Sequence, residues 1–156
     1  MMAILAQKSR DNSRTPMQWN SEPYAGFSQA LPWLDVANNY TEINAEQALE
    51  DKDSVFYFYK ALIGLRKQVP VITHGRYQDL LPEHSSIFAY VRESEGQTLL
   101  CINNYYGEET ECVLPERFEM MKAKSLLSNY QVSESLVTSH HQVLRPYETR
   151  ILLIED

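Results

Sequence analysis

Glycine is sparse in this chain: five residues in 156, scattered along it. None forms a GxGxxG turn or a P-loop, so no phosphate cradle and no cofactor are expected. Cysteine is scarcer still. Cys101 and Cys112 are too few for a disulfide framework, and Cys101 sits inside the apolar run Leu99-Leu100-Cys101-Ile102, which reads as a buried structural thiol. Positive charge is also short, with 14 Lys plus Arg against 21 Asp plus Glu and a net charge of −7. A surface of that sign excludes nucleic acid and anionic membrane as partners. No apolar run approaches the roughly 18 residues of a membrane span, and the apolar residues from Met1 to Leu5 are too few for a signal peptide. A soluble, cytoplasmic protein is the expectation. The length is short as well. One ordinary domain fits, whereas a complete (β/α)₈ barrel needs about 250 residues.

Three stretches differ in pattern. Ala3 to Lys8 reads as the tail of a helix. From there to about residue 44 no period of 2 or 3.6 is sustained. The segment holds Pro16, Pro23, Pro32 and Gly26, yet also Trp19, Trp33, Tyr24, Phe27 and Tyr40. Disordered linkers are poor in aromatics, so this stretch needs a surface to pack on. Residues 44–69 read as helical. Asn44 caps a short turn through Glu50, and Asp53 caps a longer helix from Ser54 to about Gln68. Val55, Phe58, Leu62 and Leu65 form one stripe, and Phe56, Tyr59 and Ile63 form a second beside it. An apolar arc that wide predicts a helix held between two layers. Residues 71–156 alternate with period 2 between turn signals, as around Ile87, Ala89 and Val91. They predict about six antiparallel strands in a sandwich or small barrel. Tyr106-Gly107 reads as a hairpin turn that brings Cys101 and Cys112 opposite each other on neighbouring strands, both reduced.

Few side chains call for chemistry. His140 and His141 are adjacent and so face opposite sides of a strand, and no metal site is expected. Glu93, Glu95, Glu108, Glu109 and Glu111 flank turns and read as solvated. The run from Ser9 through Arg10, Asp11, Asn12, Ser13, Arg14, Thr15, Pro16, Met17 and Gln18 to Trp19 is different. Arginine offers a planar fork for paired oxygens, and an aspartate can orient it. Such a cluster suits sugar hydroxyls or carboxylates; a structural ion pair that ties down an irregular loop is the alternative.

Arg10-Asp11-Asn12-Ser13-Arg14-Thr15-Pro16-Met17-Gln18-Trp19 resembles the RDxxRTPMQW motif of the oligo-1,6-glucosidase group of glycoside hydrolase family 13. That group includes trehalose-6-phosphate hydrolases and dextran glucosidases. Ala25-Gly26-Phe27, Pro32-Trp33, Glu42-Ile43-Asn44, Asp53-Ser54-Val55-Phe56-Tyr57, Ser86-Ile87-Phe88-Ala89-Tyr90 and Leu144-Arg145-Pro146-Tyr147-Glu148 follow in register. The resemblance implies a mainly β chain: a C-terminal antiparallel β-sandwich preceded by one long helix and an irregular segment, the remnant of the end of a (β/α)₈ barrel. Residues 1–69 would be the end of the catalytic barrel, and residues 70–156 the C-terminal β domain. The family's nucleophilic aspartate, acid/base glutamate and third aspartate have no match here, so no catalytic residue is expected. Arg10 matches the arginine that contacts the terminal glucose, and Arg14 a substrate-binding support. The implied partners are the missing catalytic barrel and a glucose-containing oligosaccharide or disaccharide phosphate. The implied parent is a retaining exo-α-glucosidase, of which this chain alone would be inactive. The alternatives are a carbohydrate-binding β-sandwich, holding glucan through Trp19, Trp33, Tyr105 or Tyr106, and a purely structural module.

Overall fold

The computed structural model describes residues 10–154, and within them the side chains of Arg10 and Asn12 are not described. The helical expectation for Ala3 to Lys8 falls outside these residues. The chain forms two compact units, 1–59 and 60–156.

The described part of the first unit is mostly irregular, as its aperiodic sequence predicts. A short 3-10 turn, Arg10–Ser13, and a left-handed turn over Pro23–Gly26 precede helix α1 (Ala45–Glu50) and the start of helix α2 (Val55–Gln68). Asn44 caps α1 as expected: its Oδ1 accepts from Gln47 N at 3.0 Å, and its Nδ2 donates to Tyr40 O at 2.9 Å. The expected Asp53 cap of α2 is displaced by one residue. Ser54 immediately precedes the helix, and its hydroxyl donates to Ala48 O at 2.6 Å. The expectation of a helix held between two layers is also corrected. No residue of α2 is buried; Phe58, Leu62 and Leu65 are half-buried, while Val55, Phe56, Tyr59 and Ile63 are exposed. The wide arc is real, but only one of its two stripes is partly covered.

The second unit takes in the rest of α2 and helix α3 (Pro70–His74) and continues as an antiparallel β domain. Its strands are β1 (Arg76–Asp79), β2 (Ile87–Ser94), β3 (Gln97–Asn104), β4 (Thr110–Val113), β5 (Lys122–Ser128), β6 (Ser135–Val137), β7 (His141–Leu144) and β8 (Thr149–Ile154). Six of them form one sheet in the order β1-β2-β3-β8-β5-β6, and β4 pairs with β7 in a second. Ile87, Ala89 and Val91 of β2, Leu100 and Ile102 of β3, and Leu152 and Ile154 of β8 share a core with Cys112 of β4 and Leu144 of β7. The small sheet therefore closes one face of the large one, as in a two-layer sandwich. The other face carries Leu99 and Cys101, with Val71 of α3 packed on them. Strand β3 is buried on both faces, as expected of a central strand.

The β2–β3 hairpin turns at Glu95 and Gly96, with φ of 49° and 78°. Two successive left-handed residues make the turn whose twist matches the strands, closed by Ser94 opposite Gln97. The Tyr106-Gly107 hairpin, in contrast, does not form. Gly107 is not among the residues with positive φ, so that tight turn is not available, and β4 leaves for the second sheet. Cys101 lies opposite Tyr90 and Ile151, whereas Cys112 lies opposite Gln142. The two thiols are free and buried in different clusters, so the expected Cys101–Cys112 juxtaposition is wrong. Burial pushes the Cys101 thiol up, and carries that of Cys112 up to about 11.

Candidate functional site

Main-chain bonds seat much of the motif segment. Arg10 opens the 3-10 turn Arg10–Ser13; the predicted sugar contact of its side chain falls outside the described side chains. Arg14 closes that turn, its N–H donating to Asp11 O at 3.0 Å. Its guanidinium Nη1 lies 3.6 Å from Asp11 Oδ1. About half-exposed, this pair adds little stability, but it orients Arg14. Arg14 also lines an open depression of about 220 Å³ with Thr15, Pro16, Met17, Phe27 and Trp33. An arginine beside exposed aromatic faces can hold a polyhydroxylated ring by hydrogen bonds at its edge and apolar contact on its face.

Beyond Pro16, which is buried, the chain is fastened to the start of α1. Ala45 N donates to Gln18 O at 2.9 Å and Glu46 N to Trp19 O at 3.0 Å. These are first-turn N–H groups with no partner inside their own helix, so the motif satisfies them. The Gln18 side chain adds a bond to Ile43 O and one to Asn39 Oδ1 at 3.3 Å. Trp19 N and Asn20 N both donate to Ala25 O, closing a loop. Within it Tyr24, Ala25 and Gly26 all have φ near 60°. For Tyr24 and Ala25 that conformation costs roughly 1–2 kcal/mol each. Gly26 is required by space too, because a Cβ there would come within 2.5 Å of Asn20 Oδ1. Three successive left-handed residues persist only where surrounding bonds fix them, and such strain collects at functional loops. The sequence pattern offered Gly26 as a signal but nothing for Tyr24 or Ala25.

Among the described residues, the other reactive side chains do not assemble into a catalytic set. Glu119 Oε2 accepts from His140 N at 2.6 Å, lies 2.6 Å from His140 Nδ1, and accepts from Ser139 Oγ at 3.3 Å. The serine thus faces the carboxylate rather than the imidazole, so these three side chains are not in the serine–histidine–carboxylate order of a nucleophilic triad. His140 turns to Glu119 and His141 to Glu111, at 3.9 Å, in keeping with opposed directions. Among the described residues no group of His, Cys, Asp and Glu could hold a metal.

One carboxylate escaped the sequence reading. Glu148 is fully buried. Its Oε2 accepts from Arg145 N at 2.8 Å and Arg145 Nε at 3.1 Å, and its Oε1 from Arg145 Nη2 and Arg150 Nε, each at 2.8 Å. Burial alone would raise its pKa; the hydrogen bonds from Arg145 and then Arg150 outweigh burial and hold the carboxyl at about 2. It stays ionised and fully committed, which suits a structural anchor and not an acid/base group.

Comparison with known proteins fits this arrangement. Residues 1–75 match the alpha amylase catalytic domain, and residues 77–151 match the maltogenic amylase C-terminal domain. Trehalose-6-phosphate hydrolase of Bacillus subtilis (strain 168) is 46% identical over 149 residues, covering 94% of this chain and 26% of that protein. An oligo-1,6-glucosidase of Halalkalibacterium halodurans is 44% identical over 153 residues, covering 98% and 27%. Among solved structures, trehalose-6-phosphate hydrolase of Bacillus licheniformis superposes with a TM-score of 0.90 at 45% identity, over 99% of this chain and 28% of that one. The trehalulose synthase of Pseudomonas mesoacidophila MX-45 gives 0.90 at 34% identity, over 99% and 27%. The chain thus spans about a quarter of the length of the relatives it matches. It belongs to the alpha-amylase family, glycoside hydrolase family 13, and carries a piece of the catalytic domain joined to the C-terminal β domain.

Proposed function

We propose that this chain forms the C-terminal quarter of a retaining exo-α-glucosidase acting on α-1,6-gluco-oligosaccharides or trehalose 6-phosphate. In this reading residues 1–69 complete the catalytic barrel and residues 70–156 form the β domain. Arg10 contacts the terminal glucosyl unit, and Arg14 supports that loop through Asp11. The nucleophile and the acid/base carboxylate come from the rest of the barrel, which is the principal partner. The glucosyl unit passes through a covalent ester with a barrel aspartate and is then released by water. The setting is cytoplasmic; among the described residues no helix is long and apolar enough to cross a membrane.

The observation that carries this reading is the fastening of the arginine motif to helix α1 through the Gln18 and Trp19 carbonyls and the Gln18 side chain. Exposed Val55, Phe56, Tyr59 and Ile63 on α2 supply a surface for the rest of the barrel. The test is to substitute this chain for the part it matches in the B. subtilis trehalose-6-phosphate hydrolase. Arg10→Ala is expected to lower kcat/KM by about 100-fold, in line with a charge-assisted hydrogen bond to substrate, and Arg14→Ala by about tenfold. Unchanged kinetics for Arg10→Ala would refute the assignment.

A further inference from the structure

The Leu144-Arg145-Pro146-Tyr147-Glu148 run has a consequence beyond stability. Tyr147 is a non-glycine residue with φ of 54°, and it is 63% exposed. A tyrosine in that conformation is strained, yet its position is fixed several times over. Its N–H donates to Tyr106 O at 3.0 Å, its carbonyl accepts from Asn129 Nδ2 at 2.8 Å, and its neighbour Glu148 is the buried anchor of Arg145 and Arg150. Its phenol end rests against Gly107, where a Cβ would come within 3.1 Å of the hydroxyl oxygen. Asn104 holds the facing loop, its Nδ2 donating to Glu108 O at 2.8 Å and Arg145 O at 3.0 Å. That loop presents Tyr105 and Tyr106, both more than half exposed. Three open aromatic rings therefore stand on two loops locked by a buried ion network. Packing does not demand their exposure, and strain that is retained in this way is a mark of ligand-holding positions.

We propose that Tyr105, Tyr106 and Tyr147 form a binding surface for neutral α-glucan chains. Charge decides against polyanions: Glu148 pairs with both Arg145 and Arg150, and exposed Glu108 and Glu109 beside the tyrosines outweigh the one positive charge that remains. A pyranose ring carries no charge to desolvate. It offers an apolar C–H face to the tyrosine ring and hydroxyls to the phenol oxygen, and rigid tyrosines lose little entropy in making such contacts. The α-glucan class, though not the surface itself, rests on the proposed glucosidase reading.

The test uses the full 156-residue chain in native gels containing dextran or glycogen. Retardation by either polymer, with a dissociation constant of about 1 mM for short gluco-oligosaccharides, is expected. Tyr147→Gly removes the ring while suiting the left-handed backbone, so it should keep the wild-type melting temperature and weaken binding about tenfold or more. Tyr106→Ala, which keeps the main-chain bond to Tyr147, should act likewise and serves if the glycine variant does not fold. Tyr77→Ala, which removes an exposed ring on β1 outside both sites, should bind as wild type. No retardation of the wild-type chain in either polymer overturns the proposal, as does retardation that only Trp33→Ala abolishes. Self-association abolished by Tyr147→Gly would assign the surface to a second copy and also overturn it. The Arg10 kinetics do not enter this measurement, so the two readings fail separately.

Discussion

Glu148→Gln should destabilise the β domain by about 3 kcal/mol at neutral pH. The carboxylate is fully buried, and its pKa falls from the ordinary 4.5 to about 2. That difference corresponds to about 3 kcal/mol of preference for the ionised, paired form. Glutamine keeps the shape but turns an amide donor toward Arg145 and Arg150, leaving two cations without their anion. Removing one partner from a buried pair costs about 3–5 kcal/mol, and the low end applies because Arg145 can reach water. The sign with pH follows from the depressed value. The contribution is fully present above the unfolded pKa near 4.5 and is lost as pH falls toward about 2. Urea unfolding followed by far-ultraviolet circular dichroism is the assay, at pH 7 and at steps between pH 5 and pH 2. Wild type should lose about 3 kcal/mol more than Glu148→Gln across the acid steps, and at pH 7 the variant should melt roughly 10–20 °C lower. A neutral-pH loss below about 1 kcal/mol, or parallel acid profiles for the two proteins, would refute the reasoning.

The thiols and the protease sites give two further outcomes. Unfolded, non-reduced protein should show two free thiols, while the native protein at pH 8 reacts slowly, because burial holds both thiols protonated and that of Cys112 up to about 11. Fast native labelling would contradict the buried placement. Limited trypsin digestion should cut after Arg14, exposed in an irregular segment, before Arg92 or Lys124, which lie inside paired strands. Initial cleavage at either strand site would show that the β domain is the weaker unit.

How far the sequence carried can be traced to particular residues. Asn44 was legible because a helix cap is a local device that one or two residues specify. The alternation of Ile87, Ala89 and Val91 revealed which face of β2 is buried, but alternation says nothing about which strand pairs with which. Strand β8 therefore enters between β3 and β5 from far along the chain, and β4 joins β7 where a local hairpin was expected. Polar β1 and three-residue β6 carry too few apolar positions to register as strands. The Glu148 anchor was invisible because Arg150 reaches it from β8, and Arg145 only after a left-handed turn at Tyr147. At the site, the arginine motif was readable as residue types. The bonds that seat it, from Ala45 and Glu46 to Gln18 and Trp19, join main-chain atoms more than 25 positions apart and leave no compositional trace.

Hydrolysis of p-nitrophenyl α-glucoside and trehalose 6-phosphate, by the 156-residue chain alone and by the same chain joined to the preceding part of the B. subtilis trehalose-6-phosphate hydrolase, tests the central claim most directly. The account predicts no turnover for the chain alone and turnover for the joined protein that depends on Arg10. Turnover by the chain alone that disappears when one of its own carboxylates is replaced would contradict it.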